Sequence, residues 1–131
     1  MATRSRIAIE NPDGSVKSIY CHWDGYPEHN GRILNDHYQE RKKVESLIEL
    51  GSISILDENV DPTGPHSFEN PQDGVTVAYH RDRGEAYRKP DGHRNSESYF
   101  KGDIEEYGYL FTKENEWVYV SYSDRRPRPI N

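Results

Sequence analysis

"RIAIENPDGSVKSIYCHW", Arg6 to Trp23, decides how this chain is read. Two runs that alternate polar and apolar residues flank Asn11, Pro12, Asp13 and Gly14. Asn-Pro opens a turn, and Asp-Gly tolerates positive φ. The stretch therefore reads as a β-hairpin. Successive strand residues point to opposite faces, so Ile7 and Ile9 share one side. In the second strand Ile19, Cys21 and Trp23 form the expected core-facing set, with Val16, Ser18 and Tyr20 opposite.

Asp24 to Pro27 ends that strand. Pro27 suits a first helical turn, where its missing N–H has no intrahelical partner. Ile33, Leu34, His37 and Tyr38 then recur at helical spacing, as do Val44, Leu47, Ile48 and Leu50. Two helices with a break near Gln39 are expected, the second stopped by Gly51. Ser52 to Leu56 reads as a short strand and Val75 to His80 as another. Between them, Asp57 to Gly74 carries five carboxylates and no Lys or Arg, a long acidic loop. Arg81 to Ser98 reads as an exposed connection. Glu106 to Tyr122 reads as a second hairpin turning at "KENE". The expected class is α+β, an antiparallel sheet of about five strands with two helices packed on one face. The expected order is β-β-α-α-(β)-β-β-β. Residues 1–122 form one expected domain, and 123–131 an extended Arg/Pro-rich tail whose order would depend on a partner surface.

The chain has 131 residues, long enough for one sizeable core. Hydrophobic residues are only 32%, and ten tyrosines partly compensate with large apolar rings. A formal net charge of −6 argues against duplex nucleic acid, which needs a basic face to displace counterions. No apolar run reaches membrane-span length. The start, "MATRSRIAIE", reads as a strand and not as a signal peptide. One cysteine, Cys21, forms no internal disulfide and fits a reducing compartment.

Three clusters carry possible chemistry. Cys21 and His22 are adjacent in a strand, hence on opposite faces, which rules out a nucleophile–base pair there. The six histidines show no four-residue spacing, so no metal site and no cofactor is expected. The corner Trp23, Asp24 and Tyr26 suits a stacked purine with phosphate at the helix start, and equally a corner that only fixes a turn. "YHRDRGEAYRK" places Tyr79, Arg81 and Arg83 on one face if the strand continues, with Arg88 beyond. Guanidiniums beside a phenol grip phosphate; the plainer alternative is a solvated cluster paired to Asp82 and Glu85. The corner and the guanidinium pair are expected to converge on one hollow.

The block from Thr3 to Leu34, "TRSRIAIENPDGSVKSIYCHWDGYPEHNGRIL", resembles a family of small uncharacterised proteins of tailed bacteriophages. "LIELG" at Leu47–Gly51, "YHRDRGE" at Tyr79–Glu85 and "YLFTKENEWVYV" at Tyr109–Val120 extend the resemblance. The acidic loop stands outside it. The resemblance implies a host bacterial cytoplasm during infection and no established reaction, so no catalytic residue is carried over. Accessory phage proteins of this kind often oppose host defence. The expected function is a non-catalytic binder that sequesters a small anionic nucleotide signal. Its ligand-binding residues would be Trp23, Asp24, Tyr26, Tyr79, Arg81, Arg83 and Arg88. A homo-oligomer would let a neighbour's loop or tail complete the pocket. The alternatives are a protein inhibitor docking its acidic loop on a host defence enzyme, and a phosphodiester hydrolase using His22, His80 and Asp82.

Overall fold

A computed structural model describes residues 2–130, so Met1 and Asn131 lie outside the described residues. The first hairpin forms as the turn chemistry requires. Strand β1 (Ser5–Glu10) pairs antiparallel with β2 (Val16–Cys21), and Ile7 faces Ile19 across the pair. Pro27–Gly31 makes a π-helical turn that runs into α1 (Arg32–His37). After a break at Tyr38 to Glu40 follows α2 (Arg41–Glu49). Leu34, Tyr38, Val44, Leu47 and Ile48 bury against Ile7, Ile9, Ile19 and Cys21 on one face of the sheet. Full burial of one such aliphatic side chain is worth about 1.5–3 kcal/mol.

The chain continues through β3 (Ile53–Ile55), β4 (Val77–Ala78), α3 (Tyr79–Arg83) and β5 (Asp91–His93). Then come α4 (Ser96–Lys101), β6 (Tyr107–Phe111), β7 (Trp117–Ser121) and β8 (Asp124–Pro129). The fold is α+β, and the sheet runs β4-β3-β2-β1-β6-β7-β8, with β5 attached to β2. It is mixed, not purely antiparallel, and it has eight strands where about five were expected. β6 lies parallel to β1, and β3 parallel to β2. The expectation held that strands joined by short turns pair with each other. β6 instead reaches the far side of β1 by a long connection through β5 and α4, which brings it in parallel.

The second face of the sheet is covered as well. Tyr99, Phe100 and Ile104 pack on Ala8, Val16, Leu110 and Val120. This layer was not expected, because α4 is a single amphipathic turn or two inside a charged stretch. Its start is capped by Asn95, whose side chain accepts from the Ser98 N–H at 2.9 Å.

The tail is not loose. β8 pairs antiparallel with β7, and Arg125 donates to the carbonyls of Phe100 and Gly102 at 2.9 and 2.7 Å, closing the C-terminal end of α4. Its order comes from its own sheet. Tyrosines do fill the core, and their hydroxyls end on backbone carbonyls. Tyr109 reaches Gly25 at 2.6 Å, Tyr38 reaches Asp57 at 2.7 Å and Tyr99 reaches Tyr109 at 2.9 Å.

Candidate functional site

The outer edge of β2 is split between two strands. β5 pairs with Val16, Lys17 and Ser18, and β3 pairs with Cys21. Among the described residues, no strand pairs with that edge at Ile19 and Tyr20. Where two strands share one edge and part, room is left beside the sheet.

Two hollows beside this gap share part of their lining and are treated together as the two lobes of a candidate cleft. The first, about 310 Å³, is lined by Ser18, Ile19, Tyr20 and Ser52, by Arg6, Arg88 and Lys89, and by Asp91, Asp103 and Glu105. The second, about 580 Å³, is lined by Tyr79, Glu85, Ala86 and Tyr87. Tyr20, Ser52 and Arg88 belong to both lobes.

The walls are held by named contacts. Arg6 sits directly opposite Tyr20 in the β1–β2 pair. Its Nε donates to Ser18 Oγ at 3.0 Å, and an Nη donates to Asp91 Oδ2 at 2.5 Å. Ser18 Oγ in turn lies 2.8 Å from His93 Nε2. Burial first, then the nearby Arg6 charge, hold the His93 pKa below its ordinary value. The strap from Gly84 to Pro90 has no regular structure but is tied down. The Tyr87 hydroxyl donates to the Glu49 carbonyl at 2.8 Å, and His80 Nδ1 is 2.7 Å from the Glu85 carbonyl. Gly51 lies against the strap so closely that an added Cβ would meet the Arg88 carbonyl at 2.3 Å. Only glycine fits that contact, and Gly51 also holds φ +76°.

The Asp103–Glu105 pair closes the far wall. The Glu105 N–H donates to Asp103 Oδ1 at 3.1 Å, and Glu105 holds φ 63°. Burial, reinforced by Asp103, raises the Glu105 pKa above the ordinary carboxylate value. The Glu105 backbone N–H and then its side chain lower that of Asp103. On acidification Glu105 therefore takes up a proton before Asp103 does. Glu105 is not among the residues that the sequence singles out. Its neighbours Arg6 and Asp103 arrive from β1 and from the turn after α4, and no local pattern announces them.

Of the residues singled out in the sequence, Tyr79 and Arg88 line the cleft. Trp23, Asp24, Tyr26, Arg81 and Arg83 line neither lobe. The Trp23 corner and the guanidinium pair therefore do not share this hollow. Trp23 is not a core residue either; it is 40% exposed, with its ring edge-on to His22. Asp24 takes a left-handed turn at φ 55°, and the next peptide is tied to Thr3 and Tyr109.

The strand expected over Val75 to His80 stops at Ala78, and α3 begins at Tyr79. Tyr79, Arg81 and Arg83 consequently leave the shared strand face. Arg81 donates to both carboxylate oxygens of Asp82, at 2.9 and 3.1 Å, and to the carbonyls of Val60 and Thr76 at 2.6 and 2.7 Å. Four of the five N–H donors of a guanidinium are thus used. Arg83 lies over the Phe68 ring and faces Glu85 at 3.4 Å. Asp82 also accepts from the Ala78 N–H at 2.7 Å, and the buried His66 Nε2 is 3.1 Å away, off the line of a good hydrogen bond. This cluster anchors the acidic loop.

None of the hydrolase trio His22, His80 and Asp82 lines either lobe. His22 Nδ1 is 2.7 Å from the Tyr20 hydroxyl, His80 holds the strap, and the Asp82 side chain is 3% exposed. Ser18 and His93 have the spacing of a nucleophile and its base, but Ser18 has no exposed surface and its oxygen already accepts from Arg6. Cys21 is fully buried, and burial pushes its thiol up to about 11. Among the described residues, no group of three or more His, Cys, Asp and Glu is arranged to hold a metal ion. No helix among them is long and apolar enough to cross a membrane. A comparison with protein-family models finds no match, nor do comparisons with curated proteins and with solved structures.

Proposed function

We propose that this chain is a binding protein that holds a small anionic nucleotide in the split-edge cleft without turning it over. One observation carries the reading: three cationic side chains, Arg6, Arg88 and Lys89, and three phenols, Tyr20, Tyr79 and Tyr87, meet at the unpaired stretch of β2. Guanidinium and ammonium groups take phosphate oxygens, and phenol rings take a base by stacking. Arg6 is pre-oriented by Ser18 and Asp91, so little side-chain freedom is lost when a ligand docks. The resemblance to small tailed-phage proteins supports the setting, an infected bacterial cytoplasm in which removing a nucleotide signal would disarm a defence. The test is extraction: protein purified from nucleotide-signalling cells is denatured, and the released small molecules are weighed by mass spectrometry. An intact nucleotide, absent from Arg88→Ala, is the expected result. Empty protein that also gives no heat with added nucleotides sinks the proposal.

The anchored acidic loop favours a second reading, an inhibitor that docks on a basic surface of a host enzyme. Arg81 and Asp82 hold Asp57 to Gly74 in place, and the side chain of Asp61 is left 86% exposed. Salt-sensitive capture of a host enzyme by nucleotide-free protein would favour this reading, and its loss in an Asp61→Lys, Asp73→Lys variant would locate the surface.

A further inference from the structure

β5 is three residues long, and its Asp91 and Gly92 are exposed. Besides the backbone ladder to Val16, Lys17 and Ser18, two side-chain hydrogen bonds tie it down among the described residues. Both belong to one circuit. Arg6 donates through Nη2 to Asp91 Oδ2 at 2.5 Å and through Nε to Ser18 Oγ at 3.0 Å. Ser18 Oγ, fully buried, lies 2.8 Å from His93 Nε2. A guanidinium stays charged, so Arg6 can only donate. Ser18 accepts from it and has one proton to give, and His93 Nε2 is the acceptor in reach. The neutral ring therefore carries its proton on Nδ1.

Charging the ring reverses one link. Nε2 then also carries a proton and can only donate. Ser18 Oγ faces two donors, and its own proton loses its acceptor, because this oxygen has no third partner among the described residues. A buried donor left unpaired bears the full cost of its lost hydration. The surroundings act in the same direction. Arg6 of β1 places a like charge beside the ring, and Asp91 of β5 an opposite one. The Asp91 side chain is 57% exposed, so water weakens its counter-charge. From β2 comes the neutral Ser18, with Lys17 on the other face. From α4 comes the Tyr99 ring, edge-on at 5.1 Å, its hydroxyl taken by the Tyr109 carbonyl, while Glu97 and Lys101 pair with each other at 2.7 Å.

We propose that His93 is a pH-sensitive latch for β5: the neutral ring holds β5 on the edge of β2, and the charged ring releases it. Release uncovers β2 from Val16 to Ser18 and frees Arg6 from Asp91. A histidine whose folded pKa is lowered contributes stability that is complete above its ordinary value of 6.5 and is lost as pH falls from there to the folded pKa.

Nuclear magnetic resonance of the full chain from about pH 7.5 to about pH 5, the range in which histidine changes charge, tests this. The His93 ring should titrate with a midpoint below 6.5. Amide hydrogen exchange at Asp91 to His93, corrected for its intrinsic pH dependence, should speed up severalfold across that midpoint. His93→Gln offers Ser18 an acceptor that does not titrate, so its exchange should stay flat, and circular dichroism shows whether it is folded. An acid response in His93→Gln equal to the parent's overturns the latch. In the parent alone, a ring midpoint at or above the ordinary value, or exchange at β5 that ignores the midpoint, overturns it too.

Discussion

Arg81 illustrates how one residue changes its meaning between sequence and fold. In a strand it would have offered a free guanidinium to solvent. At the third position of α3 it is folded back onto Asp82 and two carbonyls, and it ties Val60 of the acidic loop to Thr76 beside β4. Removing it leaves Asp82, nearly enclosed, without its main counter-charge. Arg81→Ala should therefore lower stability by about 3 kcal/mol, read from the urea midpoint. Limited proteolysis should show new cleavage between Asp57 and Gly74. If the proposed nucleotide binding is right, its affinity should hold, because Arg81 lines neither lobe of the cleft. A variant with unchanged midpoint and lost binding would return Arg81 to the ligand. Arg6 makes the opposite case. In sequence it was one polar residue of an alternating strand, and in the fold it is the best-oriented cation of the cleft.

At the level of elements, β8 has the clearest consequence. It is the edge strand beside β7, and Pro127 and Pro129 remove two backbone donors from it. Such an edge resists pairing with another chain. β7 behind it, "WVYVS", is apolar and β-branched, and would template association if uncovered. A chain truncated after Tyr122 should melt at a lower temperature and scatter light increasingly with concentration. A truncated chain that stays monomeric and equally stable would show β8 to be a dispensable appendage. α4 depends on β8 too, since Arg125 closes its last carbonyls. Ile130, just beyond β8, packs against the core under the helix pair on the opposite face, so the truncation reaches that layer as well.

For the whole molecule, the charge pattern sets the response to acid. Burial alone would raise the Asp82 pKa, but Arg81, the Ala78 N–H and His66 outweigh it and hold the group below its ordinary 3.8. A carboxylate with a lowered folded pKa contributes stability that is complete above the unfolded value and is lost as pH falls through the folded one. Urea midpoints measured from about pH 5 down to about pH 2 should therefore fall for the parent, and fall less steeply for Asp82→Asn. Parallel curves would mean that Asp82 is not held as described. Much of this fold was legible in the residues: both hairpins, the helix pair with its break at Gln39, the acidic loop and the inward Cys21 all follow from turn chemistry and apolar period. Of the lining of the candidate cleft, the sequence singled out only Tyr79 and Arg88. Turn preference and side-chain period act within a few residues, so they determine what each segment becomes. Which strands lie side by side is decided by packing across the whole chain. β6 joined β1 in parallel, β8 closed the edge, and β3 and β5 divided the margin of β2. The cleft exists because of that division, and its Arg6–Asp91 ion pair joins residues 85 positions apart, a separation at which only the closed tertiary structure brings charge to charge.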